Sequence, residues 1–326
     1  DLQKETQEYA LAMEEVRGST DWYLEEFVEG VMINVFYDPI AEKHIYATKS
    51  SINGNVTFFD DGAPPPPTFG ELFVETCAHV GLVLADLERD VCYSFVMRHP
   101  RYRIGCPVGE PSLTLVAVYR IDSKNMRVCD IVTPRMQEVR SKARSGGEVT
   151  NEDVTAIIPG TRVRGVKGYS LQGDELTYAT VYRRLCAISE GRGFENLVQG
   201  ITLSYHDSDG VYRRAKIRDP RHQQIKALRG NNPKLEYQYY VLASSGKIGE
   251  YLGYYPEHRA VFGTYRTKVG EYVAKLYQYY REIYILKQVV TCEKCNSEGT
   301  IVGCEDEPQT CTKCKGRGEY KRGTTT

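Results

Sequence analysis

Apolar and polar positions alternate through GVMINVFY at residues 30 to 37 and again through HIYATK at 44 to 49. That period of two is the signature of half-buried strands, and Asp38-Pro39 supplies the turn between them. VCYSFVMRH and SLTLVAVYRI, on either side of the proline-rich PRYRIGCPVGEP, predict two more strands, and residues 198 to 205 and 211 to 217 another pair. Elsewhere the spacing is helical. Residues 4 to 17 predict an opening helix and residues 176 to 188 a middle one. Thr68-x-x-Glu71, directly after the acidic DDGAPPPP loop, is a capping box whose hydroxyl and carboxylate satisfy free amides at the start of a helix reaching about Leu87. Residues 134 to 175 are polar and glycine-rich, which predicts an irregular insertion with one short helix. From residue 221 onward the helical period dominates, and VGEYVAKLYQYYREIYILKQ sets Val269, Val273, Leu276, Tyr280, Ile283 and Leu286 along one stripe.

These elements predict an α+β fold of mixed antiparallel sheets with helices over residues 1–225, a helical extension over 226–288, and a cysteine-rich module over 289–326. With 42 basic and 43 acidic residues the chain is close to neutral, so any polyanion site must be local. No apolar run is long enough to span a membrane, and DLQKETQEYALAMEEV is charged and amphipathic rather than signal-like. A soluble, non-secreted protein is expected. The 25 tyrosines against a single tryptophan fit packing in a strand-rich fold and one tyrosine-lined helix better than base stacking.

The ten cysteines divide into two groups. Cys77, Cys92, Cys106, Cys129 and Cys186 lie singly in apolar segments, where a thiol packs as a small hydrophobe. The others cluster at the C-terminus, a division that points to a reducing compartment, cytoplasm or virion, and a metal site instead of disulfides. Cys292/Cys295 and Cys311/Cys314 form two Cys-x-x-Cys pairs 15 residues apart, the spacing of a tetrahedral structural zinc site. Cys304 is left as a spare thiol. A closed four-sulfur site has no position for a substrate, so zinc here would organise a small module able to meet other proteins. The segment CTKCKGRG resembles the Cys-x-x-Cys-x-Gly-x-Gly element of the chaperone cysteine-rich domain.

DWYLEEFVEGVMINVFYD has the rhythm of a catalytic strand pair, with Glu29-Gly30 where nucleotidyltransferases carry Lys-x-Asp/Glu-Gly, but the lysine position is Phe27. Read in order, the segments between about residues 20 and 225 resemble the covalent nucleotidyltransferase superfamily. The likeness is greatest to bacteriophage-type ATP-dependent RNA ligases and their relatives in large DNA viruses. FVEGVMINVFYD is similar to motif I. IYATKSSING is similar to the segment after it, which makes Lys49 the phosphate-contacting basic residue, and SFVMRHPRYRIG with LTLVAVYR is similar to motif III, placing Arg103 in the same group. VQGITLSY resembles motif IV and RRAKI motif V, the latter bringing Arg214 and Lys216 to the nucleotide phosphates.

The chemistry of that family needs a lysine amine to attack the α-phosphate of ATP, which a phenyl ring cannot do. No Asp or Glu occurs between Val91 and Gly105 to supply the motif III carboxylate, and the motif IV glutamate is Gln199, a neutral and poor ligand for a divalent cation. Glycines and strands survive while the chemical positions are lost. The resemblance therefore implies a catalytically inactive ligase-like protein with a structural or nucleic-acid-associated role, such as a component of the virion of a large DNA virus. Its rivals are a divergent active ligase, using ATP and magnesium, in which Lys49 or another lysine takes the nucleotide, and a module that binds ATP reversibly. The stretch YRRAKIRDPRHQQIKALRGNNPK, residues 212 to 234, holds eight basic residues and one acid, either a phosphate-binding face for nucleic acid or a solvated surface.

Overall fold

The computed structural model describes residues 2–16, 22–58, 66–122, 127–130, 158–169, 171, 175–190, 197–286, 289–302 and 308–321. Two compact units follow one another, Asp1–Tyr254 and Tyr255–Thr326. The first therefore extends past residue 225 and takes in the helices that follow the last ligase-like strand. The predicted short helix of the insertion, and Cys304, fall outside the described residues.

Two sheets build the first unit. The smaller has the order β10-β9-β1-β8, with β1 at Trp22–Phe27, β8 at Gly168–Tyr169, β9 at Gly200–His206 and β10 at Tyr212–Arg218, all antiparallel. Leu24, Ile201, Leu203, Ala215 and Ile217 point from one face into a core closed by α1 (Leu2–Val16) and α3 (Tyr178–Glu190). The other face carries Tyr23, Glu25 and Phe27 on β1, Thr202 and Ser204 on β9, and Arg214, Lys216 and Arg218 on β10.

The larger sheet has the order β3-β2-β4-β5-β6. Its strands are β2 (Val31–Asp38), β3 (Lys43–Ala47), β4 (Cys92–Arg98), β5 (Ser112–Asp122) and β6 (Arg127–Asp130), and β7 (Arg164–Gly165) joins β5 in parallel. The alternation read from the sequence decides which face is buried: Val31, Ile33 and Val35 pack with Phe95 and Leu113 under Leu72 and Phe73 of α2 (Phe69–Val80). The capping box forms as expected, Thr68 Oγ1 accepting from Glu71 N and Glu71 Oε2 from Thr68 N. The helix stops at Gly81, short of Leu87, because Gly81 takes φ +76° and returns its amide to the last turn. After β10 come α4 (Pro220–Arg229), α5 (Leu235–Ser244) and α6 (Ile248–Tyr254).

The second unit opens with α7 (Arg259–Tyr280), which runs into a π turn at Arg281–Ile285. The expected apolar stripe is there, but it lies open: Val269, Val273, Leu276, Tyr280 and Leu286 are all exposed. Four short strands follow, β11 (Val289–Thr291) paired with β14 (Glu319–Lys321) and β12 (Thr300–Val302) with β13 (Pro308–Thr310). They hold a twelve-residue repeat, TCEKCNSEGTIV and TCTKCKGRGEYK, offset by 19 residues. Equivalent bonds cross between the halves: Cys292 N donates to Gly318 O and Cys311 N to Gly299 O, both at 2.8 Å.

Candidate functional site

Of the motif positions, Phe27, Arg214 and Lys216 line the cleft between the two sheets of the first unit. Phe27 projects from the end of β1, and across β9 the chain of β10 brings Lys216 Nζ to 4.4 Å from the centre of its ring, with the Arg218 guanidinium at 6.0 Å. Gly200, between them on β9, has no room for a side chain, since a Cβ there would meet Ile217 O at 2.1 Å. The larger sheet contributes Met32, Val96 and Val116 from the face opposite its core. Together with Glu25, Arg214 and Lys216 these close around a cavity of only about 60 Å³. Pockets that hold drug-sized ligands run from roughly 300 Å³ upward. A nucleotide does not fit the cavity as it stands.

Burial against this wall, and then the neighbouring Arg214 and Arg218, hold the Lys216 ammonium below the usual lysine range. Arg214 donates from Nε to Tyr212 Oη at 2.9 Å, and the Tyr23 and Tyr212 hydroxyls meet at 3.0 Å. Lys49 is exposed beyond β3 and does not line the cavity. Arg103 is likewise elsewhere, with Nη2 donating to Tyr254 O at 2.7 Å. Gln199 is half-buried, and its carbonyl accepts from Asp219 N at 2.9 Å. Of the basic stretch, Arg213 pairs with Asp207 and Arg229 is buried, so the sequence run does not form one continuous basic surface. A larger open depression of about 630 Å³ lies over Phe36, Tyr37 and Arg120 and contains none of these groups.

Glu29 does not face the cleft. It is buried, and its two oxygens accept the amides of Gly105 and Cys106 at 2.9 to 3.1 Å and the Nε2 side of His222 in a short contact. Burial alone would raise this carboxyl, but the hydrogen bond and charge of His222 and then the two amides outweigh it and hold Glu29 below the usual carboxylate range. Asp219 delivers His222 here by capping α4, accepting from the amides of Arg221 and His222, with Pro220 in the first turn. Gly105 must be glycine, because a Cβ would come within 2.9 Å of both Glu29 Oε2 and His222 Nε2. Gly30, at φ +154°, brings the start of β2 so close to β4 that a Cβ would meet Met97 O at 2.4 Å. Glu29, Cys106 and His222 converge closely enough to meet one metal ion, yet the carboxylate is already occupied by three donors, and the cluster reads as a lock between the β1–β2 turn and α4.

In the second unit the four sulfurs of Cys292, Cys295, Cys311 and Cys314 lie within 4.8 Å of one another, all buried. Cys292 Sγ is 3.7 Å from Cys311 Sγ and Cys295 Sγ 3.6 Å from Cys314 Sγ. A tetrahedral ion at the usual zinc–sulfur distance would put its sulfurs about 3.8 Å apart. The set could hold a metal such as zinc. Cys311 is poised as a thiolate: the backbone amides of Cys314 and Lys313 lower it despite burial, whereas desolvation raises Cys295.

No family model matches the sequence. Over 211 residues, 63 % of its length, the chain is 24 % identical to an RNA ligase of Rhodothermus phage RM378. The chain is RNA-ligase-like. The ligase-like match spans 46 % of that relative, less than half its length. Among solved structures, a candidate ATP-dependent DNA ligase from Aquifex aeolicus aligns over 93 % of this chain and 70 % of its own, at 12 % identity and a TM-score of 0.38. An archaeal ATP-dependent RNA ligase aligns over 84 % and 64 %, at 12 % identity and a TM-score of 0.33. No described helix is long and apolar enough to cross a membrane.

Proposed function

We propose that the first unit is a ligase-like fold that does not adenylylate itself and that serves a structural, nucleic-acid-associated role. The observation that carries this is the filled nucleotide position: the Phe27 ring, capped by Lys216 and Arg218, faces Val96 across a cavity too small for ATP. Arg214, Lys216 and Arg218 alternate along one face of β10, a row of cations that suits the phosphates of a nucleic acid. The kinship with a phage RNA ligase supports nucleic acid as the polyanion and makes purified virions a place to look for the chain. In the second unit the four cysteines hold a structural zinc ion with every coordination position filled by sulfur, leaving none for catalysis.

One observation favours a second reading, an active ligase: an amine does lie in the cleft, at Lys216. Its neutral form would attack the α-phosphorus of ATP, forming a P–N bond as the bond to pyrophosphate breaks, with the amine proton passing to solvent. Intact-mass measurement after incubation with ATP and magnesium separates the two. An unchanged mass supports the inactive fold, and one AMP per chain, abolished by Lys216→Ala, establishes the ligase.

A further inference from the structure

The open depression over Phe36, Tyr37 and Arg120 measures about 630 Å³, inside the range of roughly 300–1,000 Å³ that small-ligand sites occupy. Its wall divides by chemistry. Phe36, Tyr37 and Cys92 are half-buried and supply aromatic and apolar surface, while Arg89, Asp90 and Arg120 stand exposed around them. Arg120 Nη2 donates to Asp90 Oδ2 at 2.9 Å, and the Arg89 guanidinium lies 4.9 Å from the centre of the Tyr37 ring. Two cations against one carboxylate leave a net positive charge beside two rings.

The wall suits binding rather than reaction. Burial raises the Cys92 thiol above its ordinary value, away from the reactive thiolate, and the carboxylate in the wall is tied to Arg120. The matching ligand has a flat apolar face and a negative charge. A nucleobase with its phosphate is such a ligand, since aromatic rings stack on any base whatever the sequence and guanidinium groups pair phosphates in fork geometry.

The surroundings of the depression select the source of that nucleotide. Tyr119 of β5 pairs with Cys92 of β4 and is also near enough to Arg214 to act on its charge, so it links the depression to the cation row of β10. Met32 and Phe36 share one face of β2, four residues or about 13 Å apart, the first lining the cavity beside Lys216 and the second the depression. One short strand can reach both. We propose that the depression is a base-stacking subsite for a nucleotide of single-stranded RNA whose neighbouring phosphates lie on Arg214, Lys216 and Arg218. The assignment rests on the nucleic-acid-associated role proposed for the first unit.

Fluorescence anisotropy of a labelled oligoadenylate with the full chain provides the test, with inorganic polyphosphate as a competitor that carries phosphates and no bases. Tyr37→Ala should weaken RNA binding roughly tenfold, the loss expected for one stacked base, and leave the polyphosphate affinity and the salt slope unchanged. Tyr37→Phe, which keeps the ring, should bind as the wild type does. Arg120→Ala, an exposed position, should lower the affinity and reduce the salt slope by about 0.7, the share of one phosphate. The urea midpoint of each variant separates a lost contact from a lost fold, and Arg120→Ala serves if Tyr37→Ala does not fold. RNA binding that falls when Arg214, Lys216 and Arg218 become Ala but ignores both Tyr37→Ala and Arg120→Ala overturns the subsite and leaves the β10 row standing. A wild type that binds no RNA overturns both. Free AMP bound in a manner that Tyr37→Ala abolishes, with RNA affinity unaffected, overturns the strand and assigns the depression to a mononucleotide.

Discussion

Lys216 Nζ stands 4.4 Å from the centre of the Phe27 ring, so an amine from β10 lies over the aromatic side chain at the end of β1. The contact holds a cation against an aromatic face, an arrangement worth roughly 0.5–2 kcal/mol depending on desolvation. It fills part of the cleft between the two sheets. Incubation with ATP and magnesium is expected to leave the mass of the chain unchanged, and Phe27→Ala, which enlarges the cavity without adding a nucleophile, is expected to stay unlabelled. An AMP adduct on the wild type would sink the inactive reading whichever lysine carried it.

Glu29 and His222 predict a pH dependence. Glu29 is held below its ordinary carboxylate value in the folded chain, so its contribution to stability is present above that value and is lost as pH falls through the lower, folded one. The urea midpoint of the first unit should therefore fall as pH drops below about 4.5, the ordinary value for this group. Leaving buried hydrogen-bond partners unsatisfied costs roughly 1–3 kcal/mol, more where the lost group is charged. Glu29→Gln should destabilise by an amount of that order at neutral pH and flatten the acid dependence. Equal acid sensitivity in variant and wild type would place the responsible carboxylate elsewhere.

What the sequence could and could not reveal follows from distance along the chain. The positions of β2 to β5, β9 and β10, the faces of β2 and the cap at Thr68 are legible because they depend on neighbours two to four residues apart. Helix α2 is shorter than its sequence suggests because Gly81 looks like an interior residue, although a glycine followed by a proline-free apolar run can still end a helix through its positive φ. Lys216 meets Phe27 only through β9, across a separation no local pattern reports. His222 is hidden inside a basic stretch, where its only signal is Asp219-Pro220 starting a helix that could turn it inward. Arg103 matches its motif yet donates to the Tyr254 carbonyl, a partner supplied by a helix beyond the resemblance.

The β10 row gives a prediction for nucleic acid. Arg214, Lys216 and Arg218 share one face, while Arg213 on the other is already paired with Asp207. Replacing the first three by Ala should weaken binding to single-stranded RNA about equally across sequences and reduce the salt slope by about 0.7 for each phosphate that is no longer neutralised. Arg213→Ala should change neither by much. Filter binding at several salt concentrations would show it, and a slope unaltered by the triple substitution would move the site off this strand.

The cysteine module makes the firmest demand on metal. Its described strands are three residues long, and its buried cluster consists of the four cysteines with Ile301 packed against them. Little apolar surface is present to offset the chain entropy of ordering the two halves, and the binding energy of a metal would supply the difference. The two halves are also tied reciprocally, Cys292 N to Gly318 O and Cys311 N to Gly299 O, and both strand pairs cross between them, so neither half is complete without the other. The purified chain should carry about one zinc per molecule under reducing conditions, with sulfur at about 2.3 Å by X-ray absorption. Chelation, or Cys311→Ala alone, should collapse the amide signals of both halves together while the first unit keeps its urea midpoint. If the metal content falls well below half an equivalent, or one half survives without the other, the four cysteines do not share a single ion.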